Sequence, residues 1–375
     1  MSFSFTDEQM EFRSVLRRFL ADKSPTTEVR RLMETEDGYD REVWRQLSQH
    51  LGLTAIPIPA DYGGQGFGFV ELAIAVEGMG RALLCAPYFS SIVLAATAIM
   101  NAGDEDQKRD LLPPIAAGDC RAALAFTEEN GRWDTDGVEM TATASGVGYE
   151  LNGVKSFVLD GHTADMIVVL ARRPGSAGEE GLSFFTVPGD TQGLTRRLLK
   201  STDTTRKLAR LEFQGVKATL LGSEGAAAAP LAKTLDQAVA CLANEMVGGA
   251  ESLREQALDY AQMRMQFGRA IASFQTMKHK SADMLIEVEL AKSAAYYAAA
   301  AADDGDELPA MASLAKAGAS ETYIQTAIHT IQIHGGIGFT WDNDTQLWFK
   351  RAKSSQVFLG DAHYHREQMM QRWQG

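Results

Sequence analysis

The feature that most constrains the fold is a change of period along the chain. Apolar residues recur at helical spacing up to about residue 120, and again from about residue 226 to residue 375. Between these blocks, apolar and polar residues alternate in runs that are typical of strands. The pattern predicts an α+β multidomain protein with an all-α N-terminal domain (1–120), a β domain (121–225) and a C-terminal domain that resembles a four-helix bundle (226–375).

The middle block contains five runs that we expect to be strands. They are residues 138–144, 149–159, 166–171, 182–187 and 209–216. Asn152-Gly153 lies between apolar stretches and is the dipeptide most typical of a two-residue hairpin turn. Strand and helix signals do not alternate here, so we expect an antiparallel sheet or barrel.

The third block contains three long helical patterns. They cover residues 231–263, 274–302 and 308–334. Gly335-Gly336 follows the last pattern directly, as a helix stop should. Ser273 stands before the second pattern and is the expected N-cap residue there.

The charge balance excludes some classes of partner. The 36 Lys and Arg residues are outnumbered by 49 Asp and Glu residues, for a net charge of −13, which argues against general nucleic-acid binding. A phosphate-bearing cofactor must therefore be held by a few local groups. The three cysteines are far apart, the first twenty residues lack the apolar core of a signal peptide, and no apolar run reaches membrane-spanning length. We expect a cytoplasmic protein, and no metal site.

One acidic residue lies in an otherwise apolar helical stretch. Glu245 shares a helix face with Cys241, Leu242 and Gly249, which lie three or four residues away. A carboxylate placed among core residues can serve as a general base. The alternative is structural, namely a buried Glu that is paired with an Arg, or a helix that is rotated enough to expose the residue.

The end of the same helical pattern could bind a pyrophosphate. Arg264 is followed by a turn at Gly268, and the next helix opens near Phe274-Gln275. A fixed cation, a glycine turn and a helix N-terminus can together hold an anion. An ordinary turn between two helices with an exposed Arg is the alternative.

A second glycine-rich segment follows the third long pattern. Gln332 precedes His334-Gly335-Gly336, and two consecutive glycines allow the backbone to approach a ligand closely. A His-Gly-Gly segment also suggests an esterase oxyanion loop, but the chain contains no Gly-x-Ser-x-Gly motif to accompany it.

Taken together, these segments resemble the acyl-CoA dehydrogenase family over essentially the whole chain. Each motif is moderately specific, and their order and spacing together are strongly specific. The matching segments are Asp61–Gly66, Phe126-Thr127-Glu128, Lys155–Gly161, Tyr260 with Arg264-x-x-Phe267-Gly268, Phe274-Gln275, and Gln332-x-x-Gly335-Gly336-x-Gly338-Phe339.

The resemblance implies a tightly bound FAD at a subunit interface of a dimer or tetramer, an acyl-CoA substrate, and an electron-transferring flavoprotein as the acceptor. Thr127 and Phe157 would then lie beside the isoalloxazine ring. The implied contacts of the pyrophosphate and ribityl region are Arg264, Phe267, Phe274 and Gln275, and those of the ADP portion are Gln332, Gly335 and Gly336.

The chain departs from the family at the usual catalytic position. Members commonly carry a catalytic Glu in a Tyr-Glu-Gly-Thr loop, and the matching stretch here is Phe358-Leu359-Gly360-Asp361. Leu359 cannot remove a proton, although its backbone N–H can still hydrogen-bond the thioester oxygen. Some members place the base on the helix before the Arg-x-x-Phe-Gly turn, so Glu245 is the expected base here. Asp361 is a lesser alternative.

The resemblance also sets the expected reaction and its alternatives. Glu245 would remove a proton from the carbon α to the thioester, and a hydride would pass from the β-carbon to flavin N5, giving a trans-2-enoyl-CoA. The segments after Thr127 and around Phe157 differ from the common motifs and resemble those of bacterial members that pair as unlike subunits and accept bulky thioesters, including steroid side chains. A non-catalytic subunit that completes FAD sites is therefore the main alternative. A flavin monooxygenase and a DNA-associated flavoprotein are weaker ones.

Overall fold

The structure is a computed structural model that describes residues 5–146 and 148–373. These residues form two compact units. The helical unit comprises residues 5–31, 69–84 and 239–373, and the sheet unit comprises residues 32–68, 85–146 and 148–238. Helices, then strands, then helices follow one another along the chain, so the predicted fold class is confirmed. The domain boundaries near residues 120 and 225 stay a prediction.

Eleven α-helices lie in the described residues, and the three longest are close to their predicted extents. The helices are α1 (Asp7–Lys23), α2 (Thr26–Met33), α3 (Arg41–Arg45), α4 (Phe69–Arg81), α5 (Thr97–Ala102), α6 (Glu105–Ala116), α7 (Ala228–Met263), α8 (Gln275–Asp304), α9 (Leu308–His334), α10 (Thr345–Val357) and α11 (Ala362–Trp373). Two π-helical segments, Gln46–His50 and Phe89–Ala96, add to them.

The ends of the long helices follow local signals, with one exception. α9 ends where predicted, because Gly335 adopts φ +65°, a conformation that glycine takes without strain. The predicted N-cap role of Ser273 is wrong. α8 begins after Phe274 with no side-chain cap, and the Ser273 hydroxyl instead donates to the Ala270 carbonyl at 2.7 Å. That hydrogen bond closes the turn before the helix.

Seven strands form the sheet, and two more form a separate short hairpin. The strands are β1 (Ala122–Ala125), β2 (Thr141–Ser145), β3 (Gly148–Leu159), β4 (Met166–Arg172), β5 (Leu182–Pro188), β6 (Leu194–Leu198), β7 (Leu208–Leu221), β8 (Met265–Gln266) and β9 (Arg269–Ala270). The pairings run β4–β2–β3–β7–β5 and return to β4, so five strands close into a barrel. β1 pairs with β4, and β6 pairs with β7.

The sheet is mixed, although we predicted an antiparallel one. β1 pairs in parallel with β4, and Thr141 of β2 meets Arg172 of β4 in parallel. The remaining sheet pairings are antiparallel. Parallel pairing requires a long connection, and the 40 residues between β1 and β4 supply it.

The predicted hairpin at Asn152-Gly153 is also wrong. Both residues lie inside β3, where the register with β7 shifts between Leu151 and Gly153. Because Ser145 pairs with Gly148, the chain reverses between these two residues, about six residues earlier in the sequence than predicted. Asn152 lies opposite two residues of β7, Gln214 and Gly215, so the register shift is a bulge in β7 and not a turn at the dipeptide.

Each unit has its own buried apolar cluster. In the sheet unit, Leu151, Ile167, Phe185, Leu211 and Phe213 are among the residues that pack together with at most 2 % exposure. In the helical unit, a smaller cluster joins the ends of α7, α8 and α9. Among the described residues, no helix is both long enough and apolar enough to cross a membrane.

Candidate active site

Two predicted flavin contacts, Thr127 and Phe157, lie close together in the sheet unit. Thr127 forms a hydrogen-bonded pair with Ser156, the residue before Phe157. The Thr127 hydroxyl donates to the Ser156 carbonyl at 2.6 Å, and the Ser156 N–H donates to the Thr127 carbonyl at 3.0 Å. Thr127 is buried, whereas Phe157 is exposed beside it. Since the hydroxyl proton of Thr127 is already used, this side chain can only accept a hydrogen bond from a ligand.

Sequence reasoning missed a buried ion pair between two neighbours of the Thr127–Ser156 pair in the sequence. Lys155 Nζ is 2.7 Å from Glu128 Oε1, and the Glu128 carboxylate also accepts from the backbone N–H groups of Glu139 and Met140. Burial lowers the pKa of Lys155 to about 8, and the Glu128 carboxylate opposes that shift. A buried polar network with its partners in place is rigid, so it holds Thr127 and the β3 backbone together. The available signal was position, because both partners lie within the segments Phe126-Thr127-Glu128 and Lys155–Gly161 that carry the family resemblance.

In the helical unit, a short hairpin carries the predicted phosphate contacts. β8 and β9 are joined by Phe267 and Gly268, with φ of +53° and +77°, which is the type I′ geometry of a two-residue hairpin. The Phe267 side chain is 92 % exposed, and Arg264 is exposed as well. Phe274 packs edge-on against Phe267, and Arg269 Cζ lies 4.0 Å from the centroid of the Phe274 ring.

The structure brings this hairpin and the Gln332 segment to one end of the helical unit. Tyr260 stacks on His334 with ring centroids 4.2 Å apart, which places the end of α7 against the end of α9. A Cβ added at Gly335 or Gly336 would have no neighbour within 4 Å, so the backbone there is open to a ligand. Arg264, Gln275, Gln332, Gly335 and Gly336 thus belong to elements that meet at this end, and the exposed cation and open backbone suit the anionic half of FAD.

Lys280 is a further residue that the sequence did not indicate. It lies on α8, and its Nζ is 3.0 Å from Gln332 Oε1. The hydrogen bond crosses from α8 to α9 and orients the amide of a predicted ADP contact.

The turn between α10 and α11 holds Leu359 in a left-handed conformation. Leu359 has φ +58° and is 3 % exposed. His365 Nε2 is 2.8 Å from the Leu359 carbonyl and donates to it. Within the described part of the chain, the Leu359 N–H has no hydrogen-bond acceptor. A buried N–H without a partner is rare and calls for a functional explanation.

Backbone strain coincides with the predicted site positions. Five non-glycine residues in the described ranges have positive φ, and three of them, Phe157, Phe267 and Leu359, are among our predicted site residues. Such conformations cost about 1–3 kcal/mol and persist where the surroundings enforce them, often at functional sites.

Glu245 lies on α7 and is paired inside the helical unit. Its Oε1 is 2.8 Å from Arg351 Nη1, and both side chains are buried. The buried pair with an Arg, which we raised as the structural alternative, is therefore present. Arg351 also fixes the position of the carboxylate through this hydrogen bond, and a carboxylate held in place can act as a general base. The geometry is compatible with both roles.

Asp361 has a separate local function. Its carboxylate accepts from the Tyr364 N–H at 2.8 Å at the start of α11, and the residue is exposed. This is the arrangement of an N-cap, which accounts for the acid at this position. No group of three or more His, Cys, Asp or Glu side chains in the described ranges could hold a metal ion.

Replacing His365 with Gln is expected to make the free energy of unfolding depend less steeply on pH below about pH 6.5. Burial, with Lys316 nearby, lowers the pKa of folded-state His365 to about 4 from its ordinary value of 6.5, while Asp361 opposes and Arg372 adds to that shift. The unfolded chain therefore binds a proton first as the pH falls, and stability is lost between about pH 6.5 and pH 4 at up to about 1.4 kcal/mol per pH unit. Urea midpoints across this range test it, and parallel profiles for wild type and variant would contradict it.

Comparison with known proteins assigns the chain to a family. The models for the N-terminal, middle and C-terminal domains of acyl-CoA dehydrogenases match residues 6–119, 123–216 and 224–374. An acyl-CoA dehydrogenase of Bacillus subtilis (strain 168) is 31% identical over 363 residues, covering 95% of each chain. The structure of butyryl-CoA dehydrogenase from Megasphaera elsdenii has a TM-score of 0.94 and 28% identity, covering 100% of both chains.

A second solved structure carries a different description. It is titled as the electron transferring flavoprotein of Acidaminococcus fermentans, and it has a TM-score of 0.94 at 29% identity over 100% of this chain and 99% of that chain. The chain belongs to the acyl-CoA dehydrogenase family. The predicted family and the predicted enzyme class, an oxidoreductase, are confirmed, and the cofactor is FAD.

Proposed function

We propose that this chain binds FAD and removes two hydrogens across the Cα–Cβ bond of an acyl-CoA thioester to give a trans-2-enoyl-CoA. The observation that carries the proposal is the buried, left-handed Leu359 with a free N–H at the family's catalytic turn. A backbone N–H is what the developing negative charge on a thioester oxygen requires. The Glu of the common motif is not needed for that contact.

The proposed chemistry has three tasks, of which two belong to residues of this chain and one to FAD. The Glu245 carboxylate takes the proton from the α-carbon, and the Leu359 N–H stabilises the thioester oxygen as charge develops there. Bound FAD supplies the acceptor for the hydride that leaves the β-carbon. Arg351 donates a hydrogen bond to the Glu245 carboxylate and orients it.

The residues proposed to hold FAD fall into two sets. Thr127 and Phe157 belong to the sheet unit and are proposed to lie along the isoalloxazine ring. The second set belongs to the helical unit and is proposed to contact the phosphates and the ADP portion. It consists of Arg264, Phe267, Phe274, Gln275, Gln332, Gly335 and Gly336.

We further propose a dimer or tetramer with FAD at the interface, and an electron-transferring flavoprotein as the acceptor. Large apolar side chains on the helical unit support an interface, since Phe267, Phe339 and Met263 are 92 %, 81 % and 74 % exposed. The Acidaminococcus structure, whose title names an electron transferring flavoprotein, supports that acceptor. A cytoplasmic location stays a prediction.

A non-catalytic subunit that completes the FAD sites of an active partner is the second candidate. The Glu245–Arg351 pair favours it, because an acid already satisfied by an Arg can be purely structural. Leu359 in place of the usual Glu is consistent with it too.

The purified chain alone is expected to be yellow and to lose its visible flavin absorbance when an acyl-CoA is added without oxygen. A panel from short straight-chain thioesters to steroid side-chain thioesters would identify the substrate class at the same time. A yellow protein that no member of the panel bleaches, or a colourless one, would support the partner-subunit candidate instead.

A further inference from the structure

The turn that carries Leu359 is held by a buried lysine. Lys316 lies on α9 and is fully buried. Its Nζ donates to the Gly360 carbonyl at 2.9 Å and to the Gln356 carbonyl at 3.3 Å. A third hydrogen bond runs to Ser320 Oγ at 3.1 Å, one turn along the same helix.

The position of this charge is favourable for physical reasons. Gln356 lies in the last turn of α10, where backbone carbonyls have no partner within the helix and the helix dipole is negative. A buried ammonium group with several acceptors interacts more strongly than it would in water. Lys316 therefore fixes the end of α10 to α9.

Lys316 and His365 together hold three carbonyls around Leu359. Lys316 holds those of Gln356 and Gly360, and His365 holds that of Leu359 itself. Left-handed geometry at a leucine persists only when the surroundings enforce it. His365 engages the carbonyl of Leu359, and the N–H of Leu359 is left to donate a hydrogen bond to a ligand.

We propose that Lys316 is a positioning residue of the thioester site, which clamps the Gln356–Gly360 turn so that the Leu359 N–H meets the substrate carbonyl oxygen. The inference rests on the proposed function. Its signature differs from that of a purely structural lysine, because removing it should weaken recognition of a carbonyl oxygen and leave the remaining ligand contacts intact.

The test compares two unreactive ligands that differ at one atom. A CoA thioester whose β-position cannot be oxidised carries the carbonyl oxygen, and the matching alkyl-CoA thioether lacks it. Binding of each to the FAD-loaded protein is measured by calorimetry, with flavin content as the control for folding. Wild type is expected to bind the thioester more tightly than the thioether. In Lys316→Met, the ratio of thioester affinity to thioether affinity is expected to fall about tenfold, with the thioether affinity unchanged.

Lys292→Met is the matched control. Lys292 is a mostly buried lysine of α8 that pairs with Glu251 and Glu289, and Glu251 keeps a second partner in Arg254. This variant should retain the full preference for the thioester. If Lys316→Met gives no FAD-loaded protein, Lys316→Gln, which still reaches Ser320 but carries no charge, takes its place with the same expectation.

The outcomes separate this inference from the proposed function. A wild type that prefers the thioester, with a Lys316 variant that prefers it equally, overturns the role of Lys316 and leaves the function standing. A wild type with no preference overturns the contact at Leu359, and the clamp with it. An equal loss of preference in Lys292→Met would show a general effect of removing buried charge and would also overturn the inference.

Discussion

Glu245→Gln is expected to yield yellow, FAD-bound protein whose flavin is no longer reduced by acyl-CoA. Gln has nearly the same shape and can still accept a hydrogen bond from Arg351, but it cannot take a proton from the α-carbon. Loss of a general base lowers the rate by about 10²- to 10⁴-fold. The measurement is anaerobic stopped-flow reduction of the flavin, with flavin content and thermal stability recorded in parallel.

Arg351→Met and the double variant distinguish a base from a structural ion pair. Arg351→Met breaks a buried ion pair by removing one of its members, which costs about 3–5 kcal/mol of stability. A purely structural pair predicts that Glu245→Gln loses stability, that the double variant recovers some of it, and that reduction per bound flavin is unchanged. Normal flavin reduction in Glu245→Gln would remove Glu245 from its proposed role.

Adding Leu359→Glu to Glu245→Gln then asks whether the family's usual position can still act. Leu359 already has the left-handed backbone there. Restored flavin reduction in this double variant would show that the turn faces the α-carbon.

Gly80→Ala and Gly248→Ala are expected to destabilise the helical unit severely. A Cβ at Gly80 of α4 would overlap the Glu245 carbonyl oxygen, and a Cβ at Gly248 of α7 would overlap the Glu77 carbonyl oxygen. Both obstacles are helix backbone rather than flexible side chains, so two helices must separate to admit one methyl group. Overpacking of this kind costs about 1–3 kcal/mol or more, and we expect the upper end. Urea denaturation measures it.

Gly318→Ala is the matched control for these two variants. Gly318 lies inside α9, and a Cβ there would have no neighbour within 4 Å. Alanine in a helix interior is favoured over glycine by about 0.5–1 kcal/mol, so this variant should gain stability. Equal stability losses in all three variants would contradict the close approach of α4 and α7, because open space and backbone overlap would then have the same effect.

Features that depend on neighbours in sequence were predicted well. The pattern over 308–334 matches α9 at both ends, and α7 begins three residues before the predicted 231. Helical period, proline near a start and glycine at a stop all act within a few residues, so a chain read in order reveals them. The family motifs are local in the same sense, and they predicted a glycine turn at Gly268, where the structure has the β8–β9 hairpin.

Features that depend on pairing were predicted less well. Asn152-Gly153 carries the same local signal whether it forms a hairpin turn or lies inside a strand, and the pairing of β3 with β2 and β7 decides between them. Likewise, β1 pairs in parallel with β4 because of where the connecting chain leads. Local preference does not contain that information.

The sequence by itself determined the order of helices and strands, because helical and strand periods act over short spacings, and its motifs carried the resemblance to the family. Only the tertiary structure decided the partners of the charged groups. Arg351 lies 106 residues from Glu245, and Lys316 lies 44 residues from Gly360. The strength of a charged group depends on burial and on the atoms within a few ångströms, and folding alone brings those atoms together.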